Sequence, residues 1–164
     1  MKKVAIIMGS DSDLPVVEKG IDILKKFNVP FEVHVYSAHR TPAETKEFTE
    51  KARENGFGVI IAAAGKAAHL AGAIAANTTL PVIGIPIKSS TLDGLDALFS
   101  TVQMPAGIPV ATVAIDGAVN ASLLAIEILS VYDDTLFNKL SEYRSEATAK
   151  VLSKNSEIEN RFNQ

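Results

Sequence analysis

An unbroken apolar run, Val4 to Met8, closed by Gly9-Ser10-Asp11-Ser12-Asp13, is the feature that most constrains how this chain folds. A strand with one wet face alternates apolar and polar residues. A strand with no polar position is covered on both faces, as in a parallel sheet flanked by helices. A helix follows directly: Pro15 suits a first turn, and Val17, Ile21 and Leu24 fall at i, i+4 and i+7, with Glu18, Lys19, Asp22, Lys25 and Lys26 at the other positions. The alternation continues, predicting strands at Phe31 to Ser37, Val59 to Ala63, Pro81 to Ile85 and Val110 to Ala114. Between them fall a helix opened by Thr41-Pro42 and closed by Asn55-Gly56, then helices over His69 to Asn77, Gly94 to Val102 and Asn120 to Tyr132. Glu44 stands where the acid of a capping box belongs.

Strands and helices in strict turn require right-handed crossovers, so the expected fold is α/β: a three-layer α/β/α sandwich with a mainly parallel sheet, flavodoxin-like, plus a C-terminal helix. The hydrophobic content of 47% supplies one core, and residues 1–164 read as a single domain with a helical extension at about 134–162. In that extension Leu136, Leu140, Tyr143, Ala147 and Val151 form an apolar stripe at helical spacing, which packs either on its own domain or on a neighbouring subunit.

A net charge of −3 gives no electrostatic reason to expect nucleic acid or an anionic membrane as partner. The absence of cysteine excludes thiolate chemistry and disulfides and points to the cytoplasm. The apolar start is too short for a signal peptide and is followed by Asp11 and Asp13, and no window approaches the roughly 20 apolar residues of a membrane span.

Ligands of an open parallel sheet bind beyond the carboxyl ends of its strands. After the first strand, Gly9 permits close backbone approach, and Ser10 to Asp13 either cap the next helix or offer its N-H groups and their own polar atoms to a phosphate or ribose. After the second, Ser37-Ala38-His39-Arg40 sets an imidazole able to exchange a proton at neutral pH beside a guanidinium able to grip phosphate. After the third, Ala62 to Leu70 is nearly all small residues around Gly65, Lys66 and His69. This leaves room for a planar ring with a carboxylate or carbon dioxide beside it, or simply allows close helix packing. After the fourth, Pro86 to Gly94 is a polar turn long enough to close over a ligand.

Gly9-Ser10-Asp11-Ser12-Asp13, Ser37-Ala38-His39-Arg40-Thr41-Pro42, Ala67-Ala68-His69-Leu70, Pro81-Val82-Ile83-Gly84-Ile85-Pro86, and Val102-Gln103-Met104-Pro105 with Gly107-Ile108-Pro109-Val110-Ala111-Thr112 together resemble the N5-carboxyaminoimidazole ribonucleotide mutases. The motifs stand in family order over about residues 3 to 150. The resemblance implies an isomerase of purine biosynthesis that moves a carboxylate from N5 to carbon 4 of an aminoimidazole ribonucleotide, through carbon dioxide held in a closed site. The ring is itself the carbon nucleophile, so no metal or organic cofactor is implied. By match to the family motifs, His39 is the general acid/base, and Ser10, Asp13, Arg40, Ser37, Gly65 and His69 belong to the substrate site. A cytoplasmic homo-octamer is implied, with neighbouring subunits completing each site.

The third segment departs from the usual family pattern at Ala63, Lys66 and Ala71. Lys66 either binds the substrate carboxylate or points outward. A sister class that carboxylates aminoimidazole ribonucleotide directly with carbon dioxide carries a basic residue near this place, and is the enzymatic alternative. The non-enzymatic alternatives are weaker. A receiver-like domain needs an aspartate where Ala62-Ala63-Ala64-Gly65 stands, and a flavin carrier would present aromatic residues in strand-end loops that contain none beyond Tyr36.

Overall fold

The computed structural model describes residues 1–163. Five strands, β1 (Lys3–Met8), β2 (Phe31–Val35), β3 (Phe57–Gly65), β4 (Val82–Ile87) and β5 (Ala111–Thr112), pair in the order β2-β1-β3-β4-β5, every pair parallel. Six α-helices accompany them: α1 (Leu14–Phe27), α2 (Pro42–Lys51), α3 (Leu70–Ala75), α4 (Leu95–Val102), α5 (Ala118–Ser130) and α6 (Asp134–Phe162). The strand order reverses between β1 and β3, and such a switch point opens a crevice at the carboxyl edge of a sheet.

The apolar run of β1 splits by the two-residue strand period. Val4, Ile6 and Met8 join α1, α5 and the start of α6 on one face, while Ala5 and Ile7 join Phe57, Ile60, Leu70 and Ile74 on the other. That is the three-layer sandwich. On the first face α1 and α5 approach so closely that a Cβ at Gly20 would stand 2.7 Å from the Ala118 carbonyl oxygen and from the Ser122 hydroxyl. Asn28 ends α1 in the left-handed conformation, φ 58°, its N-H bonded to the Leu24 and Lys25 carbonyls.

Several boundaries differ from those expected. β2 stops at Val35, although Tyr36 still donates to the Met8 carbonyl. β3 and β4 run further toward the carboxyl edge, to Gly65 and Ile87, and each pairs with the other to its end. β5 shrinks to two residues because the chain leaves β4 after Val113, whose N-H makes the last bond, to the Gly84 carbonyl, before the turn at Asp116, φ 57°. α2 ends at Lys51, and a non-helical turn carries the chain to Gly56 at φ 86°. The capping box does not form: the Thr41 side chain caps nothing in α2, because its hydroxyl is bonded to Ser37.

The C-terminal stripe divides. Leu136 and Leu140 are buried against the domain, Tyr143 packs on Phe27 with ring centroids 5.5 Å apart, and Lys139 Nζ donates to the Phe27 carbonyl at 2.9 Å. Ala147 and Val151 are exposed, so the own-domain packing holds for the first half of the stripe only.

Candidate active site

The carboxyl ends of β1, β2, β3 and β4 surround a cleft of about 730 Å³, lined by residues of all four strand-end segments. Every residue proposed from sequence, Ser10, Asp13, Ser37, His39, Arg40, Gly65 and His69, lies on its wall.

The β2 loop is tied down from within. Thr41 Oγ1 accepts from the Ser37 N-H at 2.8 Å and donates to the Ser37 carbonyl at 3.2 Å. Ser37 Oγ accepts from the backbone N-H of His39 at 3.3 Å and of Arg40 at 3.2 Å. These four bonds close a tight turn whose two outward side chains are the imidazole and the guanidinium. Arg40 Nη2 donates to the Gly9 carbonyl at 3.0 Å, joining this turn to the β1 loop.

His39 Nε2 and His69 Nδ1 lie 2.8 Å apart, rings nearly perpendicular at 83°. One of the two nitrogens must carry the proton between them. His69 is the N-cap of α3, so a ring from the loop after β2 and a ring from a helix start meet across the mouth of the sheet. Both are exposed to the cleft.

On the β1 side, Ser10 caps a 3-10 turn, Asp11–Asp13, its hydroxyl accepting from the Ser12 N-H and from the Ser12 hydroxyl. The capping reading of Ser10 holds, and the capped turn forms part of the cleft wall. Asp13 is buried. Burial pushes its carboxyl above the ordinary value of 3.8, against hydrogen bonds from the Ser10 backbone and the Ser12 side chain, with Asp11 and Asp116 adding like charge.

Lys66, at φ 56°, lines the cleft and is exposed, with no carboxylate in ion-pair reach among the described residues. Exposure on the cleft rim is compatible with either orientation of its cation. Sequence reasoning did not place Ile87, Lys88 and Ser89 among the site residues. Their signal was the polar turn after the fourth strand, whose lysine now pairs with Asp93 at 3.1 Å. Among the described residues no three carboxylate or imidazole groups converge to hold a metal ion.

The cleft thus combines a hydrogen-bonded imidazole pair, an anchored arginine, hydroxyl groups and small residues. It suits an anionic, polar small molecule. Residues 3–150 match the family described as AIR carboxylase. The N5-carboxyaminoimidazole ribonucleotide mutase of Pyrococcus horikoshii is 56% identical over 156 residues, 95% of this chain and 88% of that protein. The phosphoribosylaminoimidazole carboxylase of Candida albicans is 55% identical over 156 residues, 95% of this chain but 28% of that protein. The crystal structure of Treponema denticola PurE superposes with a TM-score of 0.87 at 29% identity, covering 94% of this chain and 97% of that one.

Proposed function

The chain belongs to the AIR carboxylase family, and from that premise we infer that it is an isomerase converting N5-carboxyaminoimidazole ribonucleotide to 4-carboxy-5-aminoimidazole ribonucleotide. The observation that carries the reading within the cleft is the His39 to His69 contact at 2.8 Å, beside a guanidinium fixed to Gly9. In the proposed reaction the N5–carboxylate bond breaks, His39 delivers a proton to N5, and carbon dioxide is released into the cleft. The ring's enamine-like carbon 4 forms the new bond to that carbon dioxide. His39 then takes the carbon 4 proton, which restores the aromatic ring and the protonated imidazole, so the proton account closes within one turnover. His69 holds the His39 ring in place and keeps a hydrogen-bond partner for it in either protonation state. Arg40, Ser10, Ser37 and Asp13 take the ribose phosphate, and Gly65 leaves space for the migrating group. What the protein supplies is orientation and retention of a small electrophile, with the nucleophile provided by the substrate.

We also place the enzyme in the cytoplasm as a homo-octamer whose neighbouring subunits cover the clefts. The absence of cysteine supports the compartment, and apolar residues left exposed on α4 and distal α6 support the assembly.

The test is turnover of the purified chain without added metal, in parallel with N5-carboxyaminoimidazole ribonucleotide and with aminoimidazole ribonucleotide plus bicarbonate. Fast conversion of the first alone is expected. Preference for the second would make the chain a direct carboxylase and give Lys66 the carbon dioxide side of the cleft.

A further inference from the structure

In a parallel ladder a residue opposite position j donates its N-H to the carbonyl of j−1 and accepts, on its own carbonyl, from the N-H of j+1. β5 ends at Thr112, two residues into such a ladder with β4, yet β4 continues to Ile87. Beyond Val113, whose N-H donates to the Gly84 carbonyl, the chain turns away, leaving the upper part of β4 without a strand on this side. The position opposite Ile87 is nevertheless filled. Asp116 N-H donates to the Pro86 carbonyl at 2.9 Å, and Asp116 Oδ1 accepts from the Lys88 N-H at 2.9 Å. The left-handed backbone of Asp116, φ 57°, directs its own carbonyl to the Ala118 N-H, so the carboxylate stands where a strand residue would present its main-chain oxygen. On the other side of β4, Ile87 pairs with Gly65, itself on the cleft wall.

We propose that Asp116, outside every motif singled out in the sequence, is a positioning residue for the reaction: its side chain extends the β4 ladder by one rung and so fixes the Ile87-Lys88-Ser89 wall of the cleft. Without that acceptor the Lys88 N-H has no partner in β5, and among the described residues the side chains of Lys88 and Ser89 add only the Lys88 to Asp93 ion pair and the Ser89 hydroxyl bond to the Thr91 carbonyl, both on exposed groups. The residue type is dictated twice. The backbone requires a residue that tolerates positive φ, and the ladder requires a short side chain ending in an acceptor, which leaves aspartate and asparagine.

This inference rests on the mutase reading for its kinetic arm only. Three variants separate backbone from side chain: Asp116→Gly keeps the positive φ and loses the acceptor, Asp116→Ala loses both, and Asp116→Asn keeps both. Hydrogen-deuterium exchange of the segment spanning Lys88 and Ser89, measured without substrate, should accelerate about tenfold or more in Asp116→Gly and stay within about threefold of the parent in Asp116→Asn. Turnover should show a KM raised about tenfold in Asp116→Gly with kcat within about threefold, and recovery in Asp116→Asn. Asp116→Ala should share that kinetic defect and melt below Asp116→Gly, because it adds backbone strain. Parent-like exchange and KM in Asp116→Gly, or Asp116→Asn as impaired as Asp116→Gly, overturns the proposal. If the parent itself fails to turn over the mutase substrate, the mutase reading falls, and the exchange result alone decides the role of Asp116.

Discussion

His39 and Asp13 face the same cleft under opposite constraints, and each makes a distinct experimental demand. His39 is exposed, its ring bonded to His69 and its backbone to Ser37. Exchanging it for asparagine therefore removes the proton carrier without opening a core. His39→Asn should lose about 10² or more in kcat while its melting temperature stays near that of the parent. Near-parental kcat, read by the rate of product formation under saturating substrate, would move the shuttle elsewhere. Asp13 is buried with its carboxyl raised, so between the ordinary value of 3.8 and that raised value the folded chain holds more protons than the unfolded one. Stability therefore falls as pH rises through this window, and above it the charged Asp13 opposes folding. Asp13→Asn should melt above the parent at pH 7, with the gap closing as pH drops below the ordinary carboxylate value, and should bind nucleotide more weakly. Thermal melts at several pH values check the sign; a parent that melts higher at pH 7 would show that its bonds to Ser10 and Ser12 outweigh burial.

At the level of elements, α1 and α5 meet through a residue with no side chain. The Ala118 carbonyl and the Ser122 hydroxyl leave no space for a methyl at Gly20, and Ser122 and Ala118 are themselves buried. Gly20→Ala should gain helix propensity of about 1 kcal/mol yet lose stability overall, by about 1–3 kcal/mol through overpacking, in equilibrium denaturation. An increase would mean that the two helices slide apart freely. The same elements show what the sequence could disclose. Val17, Ile21 and Leu24 gave α1 its face, and the unbroken Val4 to Met8 run gave a doubly covered strand, because local periodicity reports burial directly. Strand ends were less legible: β3 and β4 extend each other by mutual pairing, a long-range property that neither segment carries alone. β5 was overestimated because Val110 to Ala114 is strand-like by composition, while its pairing with β4 ends at Thr112, a long-range property that composition does not carry. The site residues were legible one loop at a time, as polar groups following apolar runs. Their convergence and the His39 to His69 bond come from the strand order.

The whole molecule leaves one question that its own core does not answer, namely what covers the distal part of α6. Its first turns are held by Leu136, Leu140 and Tyr143, and Asp133 caps its start by accepting from the Leu136 N-H. Beyond Tyr143, roughly 20 residues, spanning about 30 Å at helical rise, carry Val151, Leu152, Ile158 and Phe162 into solvent. Most helical stability in proteins comes from packing of an apolar face, and a second copy of the chain is the partner expected from the proposed assembly. Cutting the chain after Thr148 spares the buried residues, whereas removing all of α6 would uncover the bed of Leu136 and Leu140 and confuse assembly with unfolding. The truncated chain should therefore keep its cooperative melt and fall in mass by light scattering. If neighbours complete the clefts, its kcat/KM should fall with that mass, about tenfold or more. Val151→Glu combined with Ile158→Glu should do the same without shortening the helix. An unchanged mass in both variants would show that distal α6 joins no subunits, and unchanged activity at reduced mass would show that each cleft is complete within one chain.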